Sequence, residues 1–225
     1  MARLKVIILA ILLIAINQQL TGQAGMRFSF HADPQLAWFS SDDDSIAPDG
    51  SILHLQAGLL MDKYFADNYA FYIGFGVNNL GGKLLYQRTA DYMSDADTVT
   101  VAPGQQIKMN LQYLDIPIGL KLKTEELGYV TFFLRVGFNP MVNINAKASS
   151  DTESVTGPLN KQDIKKSVNL FHLGYHVGAG IEYRLGGKTA LIGGLRWASG
   201  FTNVTQKDGV SLRLNTLSVN LGILF

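Results

Sequence analysis

The chain has four histidines, whose imidazole nitrogens could bind a metal ion. His172 and His176 are four residues apart, and four residues of a strand span about 13 Å, too far to share one ion. His31 and His54 could approach each other if their segments form neighbouring strands, with Asp33 close by. Hydrogen-bonded interior histidines explain the same residues without a ligand. We therefore expect no metal site and no cofactor.

A second candidate is the set Ser29, His31 and Asp33, whose residue types match a nucleophile, a base and an acid. In a strand these three residues share one face, but successive members are about 7 Å apart, which exceeds hydrogen-bond distance. The pattern therefore predicts polar interior residues without a catalytic role. We expect that the protein is not an enzyme.

Composition excludes several other classes of function. The chain has 225 residues, a net charge of +1 and no cysteine. A nearly neutral chain lacks the basic surface that nucleic acids require, so we expect no nucleic-acid partner. The absence of cysteine excludes disulfides, cysteine-ligated zinc and a lipoprotein-type lipid anchor.

The N-terminus has the pattern of an export signal. Arg3 and Lys5 precede an unbroken apolar run, residues 6–16, and small residues follow as far as Ala24. A membrane-spanning helix needs about 20 apolar residues, so this run is too short to span. We predict a signal peptide at residues 1–24, cleaved near Ala24, and one mature domain at residues 25–225.

Apolar residues alternate with small or polar residues along most of the mature chain, which indicates strands with two different faces. In residues 171–184, one face contains Phe171, Tyr175 and Ile181, and the other contains His172, His176 and several glycines. Similar segments lie near residues 26–39, 52–65, 69–87, 107–123, 129–147, 189–203 and 217–225, which gives about eight strands. Pro34 and Pro117 fall inside two of them, where we expect β-bulges.

Short and long connections alternate between these segments. Tight turns lie near residues 66–68, 125–128 and 186–188, and longer polar loops lie near residues 40–51, 88–106 and 148–166. Brief periplasmic turns and longer extracellular loops are typical of outer-membrane barrels. We therefore predict an all-β fold, an eight-stranded antiparallel up-and-down transmembrane β-barrel with both termini in the periplasm.

The period alone does not decide which face meets lipid, because a soluble barrel turns its apolar face inward. Two features favour a membrane. The apolar stretches are about nine residues long, which matches a tilted crossing, and aromatic residues gather at their ends, as in interfacial girdles. The predicted girdle consists of Trp38, Tyr69, Tyr183, Trp197, Phe201 and Phe225.

The other face is rich in glycine and contains charges of both signs, which must pair if they are buried. We predict an ion-pair network in the lumen, formed by Arg27, Asp33, Asp62, Asp115, Lys121, Arg135, Glu182, Arg184 and Arg196. Because side chains just fill an eight-stranded barrel, this network would plug it. A narrow ion path along the same charges is the alternative.

Three stretches resemble the PorT-like outer-membrane β-barrel family of Gram-negative, Bacteroidota-type bacteria. They are "YLDIPIGLKLK" at residues 113–123, "HLGYHVGAGIEYRLGGKTAL" at residues 172–191 and "LNTLSVNLGILF" at residues 214–225. The resemblance covers most of the mature chain. It implies an eight-stranded barrel in the outer membrane, and it implies no reaction.

The combined expectation is a non-enzymatic outer-membrane barrel with a plugged lumen, acting as a structural or accessory subunit of an outer-membrane assembly. Expected partners are outer-membrane lipid, lipopolysaccharide and other outer-membrane proteins. The C-terminal strand, which ends on Phe225, resembles the signal read by the outer-membrane insertion machinery. The alternatives are a narrow low-conductance porin and, second, a lipid-modifying outer-membrane enzyme.

Overall fold

A computed structural model describes residues 25–42, 46–87, 90–93, 98–101, 103–150, 153–154, 157–158, 161–205 and 211–225. The predicted signal peptide at residues 1–24 lies outside the described residues. None of the helical segments in the described ranges is long and apolar enough to cross a membrane.

Strands make up most of the described chain, together with one short 3₁₀ turn, Lys165–Ser167. In chain order the strands are β1 (Met26–Ser41), β2 (Ile46–Pro48), β3 (Ile52–Ala66), β4 (Tyr69–Tyr86), β5 (Ala90–Met93), β6 (Thr98–Val101), β7 (Gln106–Asp115), β8 (Ile118–Lys123), β9 (Val130–Ser149), β10 (Glu153–Ser154), β11 (Gly157–Pro158), β12 (Gln162–Asp163), β13 (Phe171–Gly186), β14 (Thr189–Gly200) and β15 (Leu212–Leu224).

The long strands form a closed antiparallel ring. Each pairs with the next along the chain, β7 and β8 together occupy one place between β4 and β9, and β15 pairs back with β1. The ring therefore has eight strand positions, β1, β3, β4, β7 with β8, β9, β13, β14 and β15, and this confirms the predicted fold class. The start of β1, the end of β15 and the short turns lie at one end of the ring, called here the turn end. The strand ends that lead into the long connections lie at the other, the loop end.

Alternation places apolar side chains outside the ring. On β4, Phe71 and Phe75 are more than half exposed, whereas Tyr72 between them is buried. The same holds on β15, where Val219 and Leu221 are exposed and Ser218 is buried. An exposed apolar belt around a closed barrel is what a lipid-facing surface requires.

Pro34 does not form the β-bulge expected from sequence. Its strand keeps one register with β3 along its whole length, and the register with β15 is the same on both sides of the proline. The backbone N–H of Leu221 donates instead to Oδ1 of Asp33, at 3.0 Å. The Asp33 carboxylate thus accepts a backbone hydrogen bond where the β1–β15 ladder is interrupted, and the strand accommodates the proline without the extra residue of a bulge.

Pro117 also forms no bulge, because it interrupts its strand without changing the pairing. β7 ends at Asp115 and β8 begins at Ile118, yet both keep one register with β4. The N–H of Gly74 donates to the carbonyl of Pro117 across the gap, at 2.8 Å. The strand count therefore stays at eight. The register shifts occur elsewhere, at residues 64–66, 112–113 and 184–186.

The polarity of the strands inverts toward the loop end, which the sequence analysis did not anticipate. On β4 the outward residues change from Val77 to Asn79 and Lys83, while the inward residues change from Asn78 to Leu84. Leu84 belongs to a buried apolar cluster at this end, called here the loop-end core. Its members are Ala37, Phe39, Ile46, Leu80, Leu84, Tyr86, Ile107, Met109, Leu111, Tyr113, Met141, Ala146, Ala148, Ile164, Val168, Val204, Leu212 and Leu214. Such a pattern, apolar inside and polar outside, is that of a sheet surrounded by water.

Candidate functional site

The interior nearest the turn end contains a group of charged residues, called here the ion cluster: Asp62, Lys121, Arg135 and Glu182. The Lys121 ammonium donates to Oδ2 of Asp62 and to Oε1 of Glu182. Nη2 of Arg135 lies 3.5 Å from the same Asp62 oxygen. All four side chains are buried, so each charge depends on its neighbours rather than on water.

The ion cluster joins opposite walls of the barrel. Asp62 lies on β3 and Glu182 on β13, and three ring positions, β4, β8 and β9, separate these strands on one side. Lys121 on β8 connects the two carboxylates directly. At the turn end Arg27 adds a half-buried contact, with Nη1 3.5 Å from Glu182 and Nη2 donating to the carbonyl of Lys188 at 2.8 Å.

Above the ion cluster, large side chains lie across pairs of glycines. Tyr72, Gly119, Gly137 and His176 stand opposite one another on four successive strands. The Tyr72 hydroxyl reaches over both glycines to Nε2 of His176. A Cβ at Gly119 or Gly137 would lie 2.6 or 2.5 Å from that hydroxyl oxygen. The two glycines therefore leave the space that the tyrosine fills.

Two further rows repeat this arrangement of a large residue, two glycines and a polar residue. Their members are His31, Gly58, Gly76 and Asp115 in one row, and Phe133, Gly180, Gly194 and Asn220 in the other. A Cβ at Gly180 would be 2.7 Å from Cζ of Phe133. Glycine at these positions lets the interior fill with large side chains.

Amide side chains connect the remaining interior charges. Asp115 accepts hydrogen bonds from Gln56 at 2.8 Å and from Asn139 at 2.9 Å. Arg196 donates to the amide oxygen of Gln56, so Gln56 links Arg196 to Asp115. Within the described residues no carboxylate forms a direct ion pair with Arg196. Gln56 and Asn139 occupy inward positions of the alternation, but the predicted network contained charged residues alone and so did not include these amides.

His31 and Asp33 are closer than the sequence analysis expected. Nδ1 of His31 lies 2.8 Å from Oδ2 of Asp33, so the estimate of about 7 Å was wrong for this pair, because the side chains lean along the strand. The Ser29 hydroxyl has no hydrogen-bond partner among the described residues, so the three residues form no relay. His31 and His54 are not brought together either, since His54 stands opposite Gln35.

Arg184 does not belong to the interior network. Its side chain is exposed, and its Nε lies 2.6 Å from Oε1 of Glu126 in the turn before β9. Arg184 follows Glu182 on the same face of β13, but it lies past the rim of the barrel. Alternation identifies the face of a strand and does not show where the barrel wall ends.

Two small cavities lie among the interior side chains. Their volumes are about 20 Å³ each, and one lies beside His31 and Arg196 and the other beside Asn139 and His172. Each is large enough for about one water molecule. At the turn end an open pocket of about 480 Å³ is lined by Arg27, Tyr64, Lys123 and Lys188 among others, and Arg27 contacts Glu182 of the ion cluster.

The predicted girdle residues lie on the outer surface in two bands. Tyr69, Tyr183 and Phe225 are exposed at the turn end. Trp197 and Phe201 are exposed toward the loop end, where their rings contact Tyr175 at 5.5 and 4.6 Å between centroids. Trp38 is half-buried near the loop end of β1.

Comparison with known proteins places the chain in a family. The sequence matches the family described as "Outer membrane protein beta-barrel domain" over residues 16–206. The chain belongs to this family. Its exposed apolar belt is therefore the lipid-facing surface of an outer-membrane β-barrel. No curated protein matches the sequence.

Solved structures share the barrel fold at low sequence identity. Neisserial surface protein A has 16% identity and a TM-score of 0.45, with 88% of this chain and 95% of that chain covered. The outer-membrane protease OmpT of Escherichia coli has 8% identity and a TM-score of 0.50, with 92% and 99% covered. OprG of Pseudomonas aeruginosa has 12% identity and a TM-score of 0.44, with 89% and 95% covered. At such identities the likeness is one of fold alone.

Proposed function

We propose that this outer-membrane barrel is non-enzymatic, closed by its own side chains, and a structural or accessory subunit of an outer-membrane assembly. The observation that supports closure is the filled interior, in which the ion cluster, the glycine rows and the loop-end core follow one another from the turn end to the loop end. Cavities of about 20 Å³ between these layers offer no passage to a hydrated ion.

The chemistry of the layers supports a permanently closed state. Opening the barrel at the ion cluster would separate Lys121 from two buried carboxylates, which costs several kcal/mol for each ion left unpaired. Opening it at the other end would expose the loop-end core to water. The absence of a contact between Ser29 and His31 supports a non-enzymatic role.

Orientation, export and partners complete the proposal. The turn end faces the periplasm and the loop end faces outside, because short turns are periplasmic in this class. Residues 1–24 direct export. The strand that ends at Leu224, next to Phe225, is read by the insertion machinery, and the loops contact lipopolysaccharide or other outer-membrane proteins. The finer assignment to the PorT-like family rests on the three quoted stretches.

Recordings from planar lipid bilayers test closure. We expect the purified, folded protein to produce no steady single-channel steps, because buried side chains cross the interior and the two small cavities among them are only about 20 Å³ each. A porin reconstituted in the same way is the positive control. Reproducible unitary steps from the wild-type protein would overturn the closed barrel and favour the alternative of a narrow porin.

A further inference from the structure

Three lysines lie together on the outer surface at the loop end. Lys83 of β4 stands directly opposite Lys108 of β7. Lys108 in turn stands opposite Ser149 of β9, two residues past Lys147, so Lys147 is its diagonal neighbour on the same face. Lys108 and Lys147 are exposed and Lys83 is half-buried. These residues are called here the lysine strip.

The strip brings like charges together, and its lysines form no ion pair within the described part of the chain. Like charges directly opposite each other on a sheet are destabilising. No carboxylate of the described residues forms an ion pair with any of the three. Asp163 stands opposite Lys147 and accepts from the backbone N–H of Lys165 at 2.8 Å, and Asp49 accepts from the Gln106 amide. Lys83 and Lys108 face each other directly, so the repulsion between these two is the part that an external anion can offset.

The strip lies just above the lipid-facing belt on the same side of the sheet. The last apolar outward residues below it are Val77 on β4 and Ile144 on β9, six residues before Lys83 and three before Lys147. At 3.3 Å per residue and a tilt of about 40°, the lysines stand about 8–15 Å above the belt. Lysine side chains can extend back toward the membrane over several ångströms. Their ammonium groups can thus reach the phosphate layer of the surrounding lipid.

We propose that the lysine strip binds the phosphate groups of lipopolysaccharide in the outer leaflet. This inference depends on the proposed orientation, with the loop end outside. Lipopolysaccharide is the lipid that presents phosphates at this height on that side, whereas an acidic protein would have to reach the strip laterally through the same lipid. A fourth cation supports the site, since Lys165 lies beside the strip with its ammonium near the carbonyl of Ile144.

Binding of deep-rough lipopolysaccharide to the detergent-folded protein tests the inference. A lysine near an anionic lipid surface contributes about fivefold to affinity, so Lys83→Ala, Lys108→Ala and Lys147→Ala together are expected to weaken binding about 100-fold. The matched control replaces three lysines at the opposite end, Lys63→Ala, Lys123→Ala and Lys188→Ala, and is expected to change affinity less than about threefold.

Each outcome of this comparison is informative. Unchanged affinity in the strip variant would overturn the inference while leaving the bilayer recordings, and so the closed barrel, unaffected. A larger loss in the control variant would overturn both the strip and the proposed orientation. If phosphatidylglycerol in the micelles competes as well as lipopolysaccharide, the strip binds anionic lipid in general and the proposed preference for lipopolysaccharide is wrong.

A single substitution gives an independent signature. Lys108→Thr removes the directly opposed charge, so in lipid-free detergent we expect the thermal unfolding midpoint to rise by about 1–2 °C. The same variant should bind lipopolysaccharide about fivefold more weakly. A loss of stability in lipid-free detergent would show that the strip is compensated internally and would contradict the inference.

Discussion

Replacing Lys121 by methionine is expected to lower the free energy of unfolding by about 3–5 kcal/mol. The side chain is completely buried and is the cation that connects Asp62 with Glu182. Methionine preserves the bulk but leaves both carboxylates buried, with only Arg135 beside Asp62 and Arg27 near Glu182. Urea-induced unfolding of the folded protein in micelles, followed by tryptophan fluorescence, measures the loss.

Arg184→Ala is the matched control for this prediction. Its ion pair with Glu126 is exposed on both sides, so its removal should change the free energy of unfolding by at most about 0.5 kcal/mol. Combining Lys121→Met with Glu182→Gln should restore part of the loss, because it neutralises the carboxylate that is left without Lys121 and keeps Asp62 paired with Arg135. A Lys121→Met protein as stable as wild type would mean that the ion cluster does not hold the walls together.

Gly119→Ala is expected to destabilise the barrel by about 2–3 kcal/mol. The added Cβ would lie 2.2 Å from the carbonyl oxygen of Val136 and 2.6 Å from the Tyr72 hydroxyl. The tyrosine could turn away at the cost of its hydrogen bond to His176, but the backbone oxygen could move only with its strand. The same unfolding experiment in micelles measures the effect.

The same substitution at Gly193 separates steric crowding from the general behaviour of glycine in strands. Gly193 lies within β14, and a Cβ there would meet no atom within 4 Å. Gly193→Ala should therefore leave stability within about 0.5 kcal/mol of wild type or raise it slightly, since alanine loses less backbone entropy on folding. Equal losses at the two glycines would contradict the role assigned to the glycine rows.

Much of the fold was predictable because the membrane imposes a simple rule. A strand that crosses lipid must alternate, so the outward positions of Phe71, Phe75 and Val219 follow from sequence alone. The ring of eight strands follows from the number of such segments and the order of short and long connections. The pairing of Lys121 with Asp62 and Glu182 is consistent with the rule that buried charges are paired.

The remaining features of the fold could not be predicted from the two-residue alternation of side chains along a strand. On β4 the side chains keep alternating between the two faces, but the apolar residues move from the outward face at Val77 to the inward face at Leu80 and Leu84, so a rule that turns every apolar residue toward lipid fails there. Alternation also placed Arg184 inside the barrel, because it does not show where the barrel wall ends. The bulges expected at Pro34 and Pro117 were wrong because Asp33 replaces one lost hydrogen bond and a break of two residues accommodates the other.

The inversion of polarity along β4, β7 and β9 has a consequence for engineering this protein. The loops cannot be shortened to the level of the membrane surface without also changing the strand ends to which they are attached. Such a truncation would leave Leu84, Ile107 and Met109 facing the medium on a bare rim, where they would promote self-association. Transplanting these loops to another scaffold would need the loop-end part of these strands as well, so the exchangeable unit is a small globular cap rather than a set of loops.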